Sequence, residues 1–247
     1  MARDLLDLLW RDDPRAPAVG RRGPRSRHST GEVVEQAIAL ADERGLAAVT
    51  IRSLADSLGM TTMSVYTHVN SRDDLLVLMV DLVNARMPEP VDPAHGWRAA
   101  VVDLAESNLS LLRTHPWVLD VDDPRTAIGP GTIAKYDREL HVFDGAGLDD
   151  VRRDAALTFV LGFARQAAAR LVEHRRSAEF GADWQQVAGG LAGYLGDAHP
   201  LAQTVGRAAG EASGSPYDAD AAWEFGLARV VAGLADEIEN GQEGPAG

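Results

Sequence analysis

The side chains able to do recognition chemistry crowd into one stretch. Thr61, Thr62, Met63, Ser64, Tyr66, Thr67 and His68 place hydroxyls, a thioether, a phenol and an imidazole close together in the chain. Hydroxyls, phenols and imidazoles exchange hydrogen bonds with phosphate oxygens and base edges, and a thioether can lie against a thymine methyl. The set therefore suits a nucleic-acid groove. Thr50, Arg52 and Arg72 stand nearby in sequence, where they could reach phosphates, and Arg21, Arg22, Arg25 and Arg27 lie farther upstream, spaced by Gly23 and Pro24. An extended basic segment of that kind fits a narrow minor groove, whose negative potential draws arginine.

Catalytic chemistry finds no comparable cluster. His115, His141, His174 and His199 include no pair at the i, i+4 spacing of a helical metal site with a partnering acid, and HExxH and GxSxG are both absent. Asp122-Asp123 and Asp149-Asp150 fall at loop or helix starts, where carboxylates serve as caps. There is no cysteine, which removes disulfides, thiolate metal sites and cysteine nucleophiles and fits a reducing compartment. The expectation is no enzyme, no catalytic residue, no cofactor and no metal.

Two short helices must position the outward set. Ile51, Leu54, Ala55 and Leu58 recur at helical spacing, opposite Arg52, Ser53, Asp56 and Ser57. Gly59 stands where a helix closes in a left-handed residue, and Thr61 or Thr62 can cap a second helix. Val65 and Val69 share the inner face of that helix, which leaves Thr62, Met63, Ser64, Tyr66, Thr67 and His68 facing outward. Two helices joined by so tight a turn form a helix-turn-helix, in which the second helix enters a major groove. An earlier helix, opening at Ser29 or Thr30 and closing at Arg44-Gly45, buries Val33, Val34, Ala37, Ile38 and Ala41 and completes a three-helix head.

The chain accordingly divides into a flexible basic arm (1–28), a helix-turn-helix domain (29–72) and a helical body (73–247). Leu5, Leu6, Leu8, Leu9 and Trp10 offer one or two amphipathic turns that either dock on a neighbour or fray. After a capping signal at Ser71, a helix through Met87 joins head to body, and Pro88-Glu89-Pro90 stops it. Six further helical segments follow with no alternating strand pattern, so the fold class is all-α. Val151–Val172 is apolar on nearly every side, and the last helix carries two apolar stripes, one rich in alanine, so each needs more than one packing partner.

Charge is divided the same way. Residues 1–72 hold ten arginines against nine acids, so of the net −13 the remainder carries about −14. A near-neutral head on a body that phosphates repel would turn the head towards DNA. The 45% hydrophobic content supports a sizeable core. No uninterrupted apolar run approaches ~18 residues, and LLDLLW near the start is too short for a signal core. A cytoplasmic protein without membrane contact is expected.

The run TIRSLADSLGMTTMSVYTHVNSRDDLL resembles the DNA-binding signature of the TetR family of bacterial transcriptional regulators, with Thr50, Leu54, Ala55, Leu58, Gly59, Tyr66, His68, Val69 and Leu75 in register. Segments from Trp97 to His174, and EFGLARVVAGL near the end, resemble the C-terminal domain of its tetracycline-repressor branch. The resemblance implies a homodimer formed by the two strongly apolar helices, a double-stranded, palindromic DNA operator, and a small hydrophobic or amphipathic effector that releases it. Trp97, Trp117, Tyr136, Phe143, Phe159 and Phe163 could line the effector cavity. The histidine and Thr-Arg-Pro cluster with which that branch holds magnesium-tetracycline is not reproduced between His115 and Tyr136, so neither metal nor tetracycline is expected. The alternatives are an activator or ligand-independent regulator and, outside the class, a helical small-molecule carrier or enzyme whose head has lost DNA binding.

Overall fold

The computed structural model describes residues 4–16, 27–90, 96–179, 184–213 and 218–240, and among them the only regular structure is helical. The short helix α1 (Leu5–Leu9) is capped by Asp4 and buries Leu8 and Leu9. It packs against the head-to-body helix, and the Trp10 indole N–H donates to Ile128 O at 3.0 Å. The first part of the expected flexible arm is thus docked, because burying two leucines outweighs leaving them in water.

Helix α2 (Thr30–Arg44) begins with a reciprocal cap. Ser29 Oγ accepts from Glu32 N–H at 3.1 Å, and the Glu32 carboxylate accepts from Ser29 N–H at 2.6 Å. Helix α3 (Ile51–Leu58) repeats the device, with Thr50 Oγ1 accepting from Ser53 N–H at 3.0 Å. It ends at Gly59, whose φ of 62° and ψ of 35° are left-handed, and the Met60 N–H closes back on Ala55 O at 2.9 Å. Helix α4 (Thr62–Val65) follows after three residues, with Thr61 Oγ1 accepting from Ser64 N–H at 3.1 Å. It is shorter than its sequence pattern suggests. Beyond Val65 the chain continues as tighter turns in which Thr67 N–H and His68 N–H bond three residues back.

Helix α5 (Arg72–Ala85), capped by Ser71, is buried on almost every side, polar Asp74, Asp81 and Asn84 included. It packs on α2 and, most extensively, on a later helix. Helix α6 (Trp97–Thr114) leads into a 3₁₀ turn at Pro116–Asp120, and another at Pro124–Ile128 precedes α7 (Pro130–Leu140). α7 has proline at its first position, and its free N–H groups point at Asp81 of α5. Thr132 N–H donates to the Asp81 carboxylate at 2.8 Å. Burial raises the Asp81 pKa, while the N–H bonds from α7 oppose the shift.

By contact the chain separates into two units, Met1–Leu157 and Thr158–Gly247. This division differs from the expected cut after residue 72, because α5 shares its buried surface between α2 and α7 and cannot be assigned away from either. The second unit contains most of α8 (Asp150–Glu179), α9 (Trp184–Leu195), α10 (Pro200–Ser213) and α11 (Ala219–Ala235), the last continuing into a π-helical turn through Asn240. Phe163 of α8 stacks on Trp223 of α11 with ring centroids 4.9 Å apart, and a Cβ at Gly226 would meet the Phe163 ring at 2.4 Å. On α8, Leu157, Val160, Ala164 and Ala168 are buried but Val151 and Phe159 face outward. Within its Asp150–His174 stretch one 18-residue window has a mean hydropathy of 1.3, enough by length and composition alone for a membrane span. The expectation of no such segment rested on uninterrupted runs, which this helix avoids.

Candidate nucleic-acid interface

Three capped helices fix the recognition surface. α2 lies across α3, and α3 contacts α4 across the Gly59 turn. Leu54, Ala55, Val65 and Val69 are fully buried between them. Burial of Val65 and Val69 fixes the rotation of the short α4 turn, so what remains outside is decided by the inner face. Met63 is 72% exposed and Tyr66 48% exposed. Thr50, Arg52, Thr61, Thr62 and Thr67 are also exposed, and Ser64 is half-buried. Three of the hydroxyls already work within the turn: Thr61 Oγ1 and Ser64 Oγ lie 2.9 Å apart, and Thr67 Oγ1 donates to Ser64 O at 2.7 Å. Thr62, Met63 and Tyr66 are the side chains with reach.

Two of the expected contacts take other roles. His68 is only 6% exposed, and its Nδ1 lies 3.2 Å from Thr30 Oγ1. It ties the end of the recognition turn to the start of α2 instead of facing outward, because the tightened turns after Val65 rotate it inward. Arg72 donates from Nε to Val49 O at 2.8 Å and from Nη2 to Leu46 O at 3.0 Å. Its guanidinium caps the carbonyls of the α2–α3 link, which an alternation pattern could not reveal. Arg27 is exposed, whereas Arg21, Arg22 and Arg25 lie outside the described residues.

Bonded contacts tie α2 of the head, and α5 after it, to later elements of the first unit. Asp42 of α2 accepts from the Trp117 indole N–H at 2.7 Å and lies 2.8 Å from His115 Nδ1. Glu35 pairs with Arg86. Asp74 accepts from Arg125 at 2.8 Å, and Arg125 also pairs with Asp123, which lowers the Asp123 pKa.

The six aromatics expected to line an effector cavity have separate surroundings. Trp117 and Phe143 are closely packed core, and Tyr136 is on the surface with its hydroxyl donating to Asp154 at 2.7 Å. Trp97 is half-buried beneath the Arg98 guanidinium, Phe159 is exposed, and Phe163 is taken up by Trp223. One shallow cleft in the first unit brings charged side chains beside apolar ones. It is lined by Met87 and Pro88 after α5, Leu104 of α6, and Lys135, Arg138 and Glu139 of α7. The signal that could have found it is Lys135-x-x-x-Glu139, an i, i+4 charge pair that includes the only lysine of the chain.

Residues 33–79 match the family model for bacterial regulatory proteins of the tetR family, and residues 89–238 match the model for the tetracyclin repressor-like C-terminal domain. The HTH-type transcriptional repressor DrrR1 of Streptomyces coeruleorubidus is 37% identical over 164 residues, 66% of this chain and 59% of that protein. The chain therefore spans less than two thirds of that relative. An HTH-type transcriptional regulator of Saccharopolyspora erythraea is 29% identical over 181 residues, covering 67% of this chain and 76% of that protein. Among solved structures, the Streptomyces coelicolor TetR family protein ActR in complex with (S)-DNPA superposes with a TM-score of 0.67 at 23% identity, covering 85% of this chain and 98% of that one. At that identity the likeness is one of fold.

Proposed function

The chain belongs to the TetR family of bacterial regulatory proteins, and we propose on that premise that it is a dimeric, cytoplasmic, DNA-binding transcriptional regulator that represses from a palindromic operator and lets go when a small molecule binds its body. The observation that carries the DNA reading is the exposed pair Met63 and Tyr66 on a turn whose other face is fully buried. An exposed thioether and phenol have no packing role there, and both suit a groove. Arg52 and Arg27, also exposed, supply cations for the phosphates that flank such a groove. Dimerisation is supported by the outward apolar residues of α8 and α11, Phe159 and Phe225, which a second copy of the chain would cover. Repression is supported by likeness to DrrR1, a repressor, and ligand response by likeness in fold to ActR, which is solved with small molecules bound.

The test uses a duplex enriched by the wild-type protein from a random pool. Tyr66→Ala should weaken every duplex alike, because a phosphate contact carries no sequence information. Met63→Ala should shift preference at one or two base pairs by about 1–3 kcal/mol. Wild-type affinity and preference in both variants would exclude this surface as the reader.

A further inference from the structure

Lys135 is the only lysine in a chain that meets every other basic side-chain need with 23 arginines. It is also one of the few charged residues to be buried. Its ammonium donates to Glu139 Oε2 at 2.6 Å, and Asn108 Nδ2 donates to the other oxygen, Oε1, at 2.7 Å. The Glu139 carboxylate is thus bonded at both oxygens. Lys135 is not used up in the same way: an ammonium has three protons to give, and among the described residues Glu139 is its single partner. Next to it Arg138 has only long contacts, 3.5 Å to Asn84 O and 3.5 Å to the Glu89 carboxylate. All three charged residues line the same shallow, solvent-open cleft, together with Met87, Pro88, Pro90, Leu104 and Ser107.

A buried ion pair adds little to stability, because desolvation offsets the attraction. Where a buried cation serves structure alone, arginine is the usual choice, being weakly hydrated and able to bond a carboxylate at two points. A lone lysine in this position is better explained by its compact charge and spare donors. Glu139 and the exposed Glu89 balance the two cations, so what the cleft offers an anion is unfilled hydrogen-bond donors beside an already bonded carboxylate.

We propose that this cleft binds a compact monoanionic group, a carboxylate on a small apolar acid, held by Lys135 and Arg138 with its hydrocarbon against Met87, Pro88 and Leu104. This deepens the effector reading above and rests on it only for the consequence at the operator. The incoming anion lands on α7, whose first turn is clamped to α5 through Asp81 and through Asn84, which donates to Thr132 Oγ1 at 3.0 Å. Burial holds Lys135 below the ordinary lysine range against the pull of Glu139, so a second anion beside it should raise its pKa.

The experiment labels the protein with ¹³C at the lysine ε-carbon, which gives a single side-chain resonance, and titrates it with benzoate and with the neutral benzamide. The acid should bind at least about tenfold more tightly than the amide, as expected for one charge-assisted bond. It should also move the Lys135 resonance and raise its titration midpoint. Lys135→Met combined with Glu139→Leu and Arg138→Met, which removes both proposed anchors and their buried counter-charge, should bring the acid down to the amide's affinity. Equal affinity of acid and amide, no acid-induced shift up to millimolar concentration, or a preference that survives the triple substitution would each overturn the proposal. A neutral compound that releases operator without moving the Lys135 resonance would overturn it too and leave the regulator reading intact. A protein that prefers the acid but binds no operator would do the reverse.

Discussion

Arg72 has a guanidinium divided between two main-chain carbonyls, Val49 O and Leu46 O, in the link between α2 and α3. Arg72→Ala leaves both acceptors short of a charged donor, and the expected loss is about 1–3 kcal/mol, read as a lower urea midpoint with unchanged slope. Because the guanidinium faces inward, operator affinity per folded molecule should hardly change; a large loss of affinity with unaltered stability would return Arg72 to the DNA surface. His68 follows the same logic at the other end of the turn, where it sits against Thr30. Met63 and Tyr66 are the complementary case, exposed and without a share in the core.

At the scale of elements, α5 and α7 approach so closely that only glycine fits between them. A Cβ on Gly131 would lie 2.2 Å from Asp81 O and 2.7 Å from the Ala85 side chain. Gly131→Ala must push the helices apart or break the Asp81 cap, at a cost of about 1–3 kcal/mol, visible as a lower melting temperature. A variant as stable as wild type would mean the contact is slack. Such clamps explain what could be read in advance. The caps at Ser29, Thr50 and Ser71, the Gly59 turn and the all-α class are local, written within three or four residues of each other, and the sequence pattern finds them. The docking of α1 through Trp10 to Ile128, the inward turn of His68, the division at Leu157 and the Asn108–Glu139–Lys135 chain join residues far apart in sequence or depend on the pitch of a single turn. Periodicity does not encode those. The aromatic effector lining misled for a related reason: bulky rings mark core and cavity wall alike, and Trp117 and Phe143 are core.

For the whole molecule, on the proposed reading, the acidic charge beyond residue 72 would leave DNA only the head to approach, and so small a head would gain useful affinity by acting twice. In the proposed dimer the outward apolar residues of α8 and α11 would give the second copy its place. An effector then needs only to favour a dimer whose two recognition turns no longer match sites about 34 Å apart, since binding both states equally would change nothing. The most direct test is to enrich a duplex from a random pool with the wild-type protein, then compare its affinity and stoichiometry on the enriched duplex and on one half of it by anisotropy and sedimentation. The account predicts an inverted repeat carrying two chains, and a half-site bound at least about 100-fold more weakly. Failure to enrich any duplex, or one chain per duplex with equal affinity for the half-site, would contradict it.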